Sequence, residues 1–119
     1  IEPYVHCQST HGQPSRRHGN SRISWLTGTA TWAYTAATQY LLGVRPDWDG
    51  LRLDPCLDPA LRAVTVRRRF RGKEFEIRIE NGAVGKGVKE LTLNGKRLAG
   101  DLVPLAESGE RNQVVLALR

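Results

Sequence analysis

The spacing of apolar residues changes once along this chain, and that change constrains the architecture more than any other feature. Over residues 26–42 the spacing is helical: Leu26, Ala30, Ala33, Ala37, Tyr40 and Leu41 fall on one face. From residue 62 the period is two. Val64, Val66 and Phe70 alternate with Thr65, Arg67 and Arg69, and Phe75, Ile77 and Ile79 alternate with Glu74, Glu76, Arg78 and Glu80. Two patterns in separate blocks predict an α+β chain. Residues 1–43 form the helix-bearing part, 44–61 a connector, and 62–119 an antiparallel β unit, one side of a sandwich or jelly roll.

The helix is apolar nearly all round, because Trp32, Tyr34 and Leu42 lie off its main stripe. A helix of that kind packs on more than one side inside a larger assembly. Trp25 and Trp32 are expected in the core. Gly43 suits the end of the helix, and Pro46 confirms the stop. Ahead of it stands Ser24-Trp25-Leu26-Thr27-Gly28-Thr29-Ala30, small hydroxylated residues and a glycine. Such a stretch caps a helix, and its open amides also suit an anion such as phosphate.

A two-residue turn at Arg71-Gly72 makes a hairpin of the next two strands. In that register Val64 faces Ile79, Val66 faces Ile77, Arg67 faces Glu76, Arg69 faces Glu74 and Phe70 faces Lys73. The Arg67-Arg68-Arg69 run is then mostly answered by glutamates of the same hairpin. Arg68 falls on the apolar face opposite Phe75, to snorkel or to pair outside the hairpin. Asn94-Gly95 marks a second hairpin. Pro104 marks an edge or a strand end, and Val114, Leu116 and Leu118 a last strand.

The formal charge of +6 falls wholly on the second half, since residues 1–60 balance five arginines against five carboxylates. A basic β module that binds polyanions is one reading of that asymmetry. Cys7 and Cys56 are expected as two buried thiols rather than a disulfide scaffold. Residues 9–22 read as a long loop. His6, Cys7, His11 and His18 match no standard zinc spacing, so no metal is expected. Asp47, Asp49, Asp54 and Asp58 sit beside Pro, Gly or Trp and are assigned to turns, not to catalysis. Gly85-Lys86-Gly87 is too short for a phosphate loop. No stretch approaches a membrane span, and no signal peptide is recognised. Met is absent and the chain opens on Ile1-Glu2-Pro3, which suggests a piece of a longer polypeptide.

Several motifs together resemble one family. They are Glu2-Pro3-Tyr4-Val5 with Gln8, His18-Gly19, and Ser24 to Trp32, then Leu42-Gly43-Val44-Arg45-Pro46, Asp49-Gly50-Leu51, Asp54-Pro55-Cys56, Arg69-Phe70-Arg71-Gly72 and Lys86-Gly87-Val88. In this order they resemble the C-terminal portion of the inverting disaccharide phosphorylases of glycoside hydrolase family 94. The resemblance implies the last loop and helix of an (α/α)6 barrel, followed by a β jelly roll. It implies phosphorolysis of a β-linked disaccharide to an α-sugar 1-phosphate. Thr27 and Gly28 would contact the phosphate and Gln8 the donor sugar. The general acid, an aspartate, would lie upstream, so no catalytic residue is expected among these positions. No cofactor is implied beyond phosphate as substrate. The implied partners are the rest of the catalytic polypeptide, the disaccharide, phosphate and a second subunit of a homodimer, in the cytoplasm, with no nucleic acid and no membrane. The related C-terminal region of a cyclic β-glucan synthase is the alternative within the enzyme class. His6 and Cys7 depart from the family pattern. Arg16 and Arg17 lie in the loop near the sugar site by analogy, where they could favour an acidic acceptor or simply be solvated.

Overall fold

The computed structural model describes residues 5–119, so the Glu2-Pro3-Tyr4 portion of the family-like motif lies outside the described residues. The chain divides into two compact units, Ile1–Ala36 and Ala37–Arg119.

The first unit carries a hairpin. Strand β1 (Cys7–Thr10) runs antiparallel to β2 (Ser21–Ser24), with Cys7 opposite Ser24 and Ser9 opposite Arg22. The intervening loop is closed by two backbone bonds, His11 N–H to Asn20 O at 2.9 Å and Gly19 N–H to His11 O at 3.0 Å. The long loop expected over 9–22 therefore begins and ends in strands. These strands are polar on both faces, so they show no alternation to read. Helix α1 (Thr29–Thr35) follows. No described residue of this unit is buried, and Trp25 and Trp32 are each 73% exposed, not in a core as expected. Two short strands and one helix of seven residues enclose too little volume to cover an indole.

The helical span is shorter than 26–42 and changes type. After α1 comes a π-helical segment, Ala36–Leu41, with the wide-turn bond from Leu42 N–H to Ala37 O at 2.9 Å. Arg45 is tied to this segment: its Nε donates to the Gln39 carbonyl at 2.8 Å and its guanidinium lies 4.8 Å from the Tyr40 ring centre. Gly43 ends the segment at φ +65°, and a methyl there would come within 2.2 Å of the Asp54 carbonyl carbon. The close approach is used: Asp54 N–H donates to Gly43 O at 2.9 Å.

The rest of the second unit is two sheets. Strands β3 (Val44–Pro46), β4 (Gly50–Leu53) and β9 (Leu102–Pro104) form an antiparallel sheet in the order β3-β4-β9. Strands β5 (Ala63–Phe70), β6 (Lys73–Glu80), β7 (Val88–Leu93), β8 (Lys96–Leu98) and β10 (Arg111–Leu118) form the other, in the order β5-β6-β10-β7-β8. Both feed one core. Leu51, Leu53 and Val103 meet Phe75, Ile77, Ile79, Leu91, Val114 and Leu116 in it. Each such side chain contributes about 1.5–3 kcal/mol by leaving water.

The β5–β6 register matches the sequence reading at every pair, Arg68 opposite Phe75 included. Arg68 is half-buried, and its Nε has no hydrogen-bond partner among the described residues. Asn94-Gly95 turns β7 into β8, and Pro104 ends the edge strand β9. The wholly antiparallel expectation is corrected at one place. Strand β10 pairs antiparallel with β7 but parallel with β6, Val114 lying opposite Ile77. Period-two alternation is the same for both directions, so composition could not separate them. The expectation of two buried thiols is also corrected. Both cysteines are free, Cys56 exposed and Cys7 half-buried on the thinly covered hairpin.

Candidate functional site

Gln8, Thr27 and Gly28 all belong to the first unit. Gln8 is exposed on β1, between the Cys7–Ser24 and Ser9–Arg22 pairs, so the hairpin brings it level with the end of β2. The chain then leaves β2 through two left-handed residues, Ile23 at φ +55° and Trp25 at φ +70°. A β-branched residue in that region costs about 1–3 kcal/mol and marks a constrained corner. Thr27 and Gly28 follow after Leu26.

Thr27 does the capping that the sequence suggested for this stretch, but from one residue ahead of the N-cap. Its Oγ1 accepts the Thr29 N–H at 3.1 Å and lies 2.6 Å from the Thr29 Oγ1. Gly28 occupies the N-cap position, without a side chain to close it, and its carbonyl accepts the Trp32 N–H at 3.1 Å. No acidic residue stands in the first turn of α1. Thr27 is half-buried and Gly28 exposed, so the stretch presents hydroxyls and backbone without a competing carboxylate.

Cys7 lies beside this hairpin. Its Sγ is 3.4 Å from the Thr10 Oγ1, which in turn is 3.2 Å from the Ser21 Oγ. These hydroxyls, Thr10 first and Ser21 next, hold the thiol below its usual pKa. In the loop, His11 Nδ1 and Ser15 Oγ are 3.3 Å apart. Among the described residues no three of His, Cys, Asp and Glu gather in a way that could hold a metal ion. Among them, too, no helix is long and apolar enough to cross a membrane.

Two of the three arginines in the basic run of the second unit are paired across the hairpin, and a neighbouring arginine shares one of their glutamates. Arg67 meets Glu76 at 3.2 Å, Arg69 meets Glu74 at 3.2 Å, and Arg111 reaches Glu74 at 3.8 Å. Asp47 and Asp58 serve turns, accepting the Trp48 N–H at 2.6 Å and the Ala60 N–H at 2.8 Å. What the sequence did not reveal is the ion-pair set around them. Arg52 bridges Asp47 at 2.8 Å and Asp101 at 2.6 Å, and Arg45 meets Asp54 at 3.1 Å. The Trp48 N–H and Arg52 together hold the Asp47 carboxyl below the usual range, and the same carboxylates raise Arg52. The separation of Asp101 from Arg52 along the chain hides that pair from local pattern reading.

Comparison with known proteins identifies the family. Residues 1–43 match the catalytic domain of the Glycosyl hydrolase 94 superfamily. The chain is 43% identical over 118 residues to an N,N'-diacetylchitobiose phosphorylase of Vibrio proteolyticus, covering 98% of this chain and 15% of that protein. It is 39% identical over 118 residues to the N,N'-diacetylchitobiose phosphorylase of Vibrio furnissii, covering 98% of this chain and 14% of that protein. A solabiose phosphorylase of Paenibacillus borealis is 36% identical over 109 residues, 91% of this chain and 14% of that relative. The chain thus spans about a seventh of the length of these relatives. The similarity covers both the helix-bearing part and the β-rich part, and on it the chain belongs to the glycosyl hydrolase 94 superfamily.

Proposed function

We propose that this chain works as the C-terminal part of a disaccharide phosphorylase. The enzyme would cleave a β-glycosidic bond with inorganic phosphate, invert the anomeric centre and release an α-sugar 1-phosphate. Residues 1–43 would close an (α/α)6 barrel, 44–61 would connect, and 62–119 would form a jelly-roll domain. Thr27 and Gly28 would hold phosphate and Gln8 the donor sugar. The exposed faces of α1 would then pack against the remainder of the polypeptide, the full enzyme would be a homodimer in the cytoplasm, and it would need no cofactor.

The observation that carries the reading is the arrangement at the end of the β1–β2 hairpin. Gln8 stands level with the last residues of β2, and Thr27-Gly28 follows three residues after Ser24 through a constrained corner. A sugar residue and an anion held by those side chains would be neighbours. That is what phosphorolysis needs. An inverting hydrolase uses one carboxylic acid for the leaving oxygen and a second carboxylate to activate water. Phosphate is already an anionic nucleophile, so the second carboxylate gives way to groups that gather and orient an anion. The stretch has hydroxyls and no acidic residue in the first turn. The acid that protonates the leaving oxygen would come from elsewhere in the polypeptide.

The test is an assay of the full-length polypeptide with inorganic phosphate and a panel of β-linked disaccharides, read as α-sugar 1-phosphate formed. Phosphate-dependent formation of that product from at least one disaccharide supports the reading. Hydrolysis without it, on every member of the panel, would sink it.

A further inference from the structure

Arg16 and Arg17 have no role in the function proposed above. Both are exposed in the loop that closes the β1–β2 hairpin, and Arg22 is exposed on β2 opposite Ser9. Residues 5–36 hold no Asp or Glu, so these three guanidinium groups meet no carboxylate of the described first unit. The second unit differs: Arg45, Arg52, Arg67 and Arg69 each have a carboxylate within 3.2 Å. The loop is also held in one shape. Ser15 N–H donates to Gly12 O, His18 N–H to Ser15 O and Asn20 N–H to Arg17 O, each at 3.0 Å, and Arg17 N–H donates to Ser15 Oγ at 3.1 Å. Unanswered positive charge on such a loop attracts an anion, and an ordered backbone loses little freedom when it binds one.

The position of the loop says which anion. Thr27-Gly28 follows β2 at the open end of the hairpin, and the loop closes the other end, beyond Thr10 and Ser21. Gln8 lies between them. From Gln8 to His11 is about 10 Å along the strand, room for a second sugar ring. In an inverting displacement the nucleophile attacks from the face opposite the leaving group. A phosphate oxygen bonds to the anomeric carbon as the bond to the acceptor oxygen breaks, and that oxygen takes a proton from the general acid. With phosphate at the open end and the donor sugar at Gln8, the departing acceptor faces the closed end. On the phosphorolysis reading given above, we infer that the acceptor sugar carries a carboxylate, as a uronic or aldonic acid, and that Arg16 and Arg17 bind it. A guanidinium offers a planar fork of donors that matches the two oxygens of a carboxylate. A neutral acceptor would accept hydrogen bonds there without answering the charge.

The experiment pairs each neutral β-linked disaccharide of the panel with its counterpart bearing a carboxylate on the acceptor sugar. Both are assayed with inorganic phosphate on the full-length polypeptide and on its Arg16→Gln/Arg17→Gln double variant. In the unaltered enzyme KM for the acidic member of the best pair is expected to be about 10-fold or more below that for the neutral one. In the double variant that ratio is expected to fall towards one. Equal KM values, or a lower one for the neutral member, in the unaltered enzyme overturn the inference and leave phosphorolysis standing. A preference for the acid that survives in the double variant overturns it too, because other groups then hold the carboxylate. So does a rise in phosphate KM in the double variant with the ratio unchanged, which would place the two arginines on the nucleophile. If no member of any pair yields a sugar 1-phosphate, phosphorolysis itself has failed, and the acidic acceptor falls with it.

Discussion

Arg71 donates through Nη1 to the Trp48 carbonyl at 2.8 Å while its guanidinium lies 5.9 Å from the Trp48 ring centre. The same guanidinium is 5.1 Å from the centre of the Phe70 ring. One side chain at the tip of the β5–β6 hairpin thereby ties down the turn between β3 and β4.

That tie predicts an order of stabilities. Arg71 holds φ +47°, a conformation that favours glycine over alanine. Arg71→Ala loses the contacts and keeps the backbone cost, for about 1–2 kcal/mol. Arg71→Gly loses the same contacts but relieves the backbone, so it should be destabilised less. Denaturant midpoints of the two variants check the order, and an equal loss would mean that the backbone conformation costs nothing.

Gly43 should tolerate no side chain. Its φ of +65° and the 2.2 Å approach to the Asp54 carbonyl carbon act together. Gly43→Ala is expected to cost about 3 kcal/mol or more, because the π-helical segment ends and strand β3 begins at this close contact. Denaturant unfolding measures it.

The Asp47 carboxyl predicts a pH dependence on the acid side. Its pKa in the folded chain lies below the ordinary 3.8, so the unfolded state takes up the proton first as pH falls. The stabilisation is therefore complete above about pH 4 and fades as pH drops through the lowered value. Asp47→Asn should show a shallower loss of stability below about pH 4 than the parent. Thermal midpoints from pH 7 down to pH 2 report the difference.

On the proposed function the Thr27 hydroxyl would hold phosphate, and its loss should appear in one kinetic constant. Thr27→Val keeps the shape and removes the hydroxyl. Phosphate KM in the full-length polypeptide is expected to rise about 10-fold to 100-fold, with disaccharide KM little changed. Gln8→Ala should do the reverse and raise disaccharide KM by a comparable factor. Equal effects of both variants on both constants would contradict the division of roles.

Arg67 and Arg69 are expected to matter little. Their side chains are 85% and 77% exposed, and cross-strand pairs at such sites are worth at most about 1 kcal/mol. Replacing either with alanine should leave the denaturant midpoint nearly unchanged.

The β5–β6 hairpin was legible to the residue because alternation, turn chemistry and opposite charges all point to one register. The Asn94-Gly95 turn and the stop at Gly43 were legible for the same reason: each rests on a local backbone demand. Direction of pairing was not. Val114, Leu116 and Leu118 alternate identically beside a parallel or an antiparallel neighbour. The polar β1–β2 hairpin was hidden too, since Cys-Gln-Ser-Thr and Ser-Arg-Ile-Ser carry no apolar stripe. For the candidate site, the Thr27-Gly28 stretch stood out by its small hydroxylated residues. The exposure of Trp32 could not be seen, because an indole on an apolar helix reads as buried in a sequence.

The parallel seating of β10 also has a consequence for how the sheet comes into being. Its strands fall into two local pairs, β5 with β6 and β7 with β8, and β10 alone is hydrogen-bonded to both. During synthesis both hairpins precede residues 111–118 out of the ribosome, so the edges of β6 and β7 that β10 will pair are bare until it follows. Closure waits on the strand that is farthest in sequence from its first neighbour, a high-contact-order step and thus a slow one. In that interval the waiting gap can accept a foreign strand, which makes the period before β10 arrives the time when this chain most needs protection from its own kind.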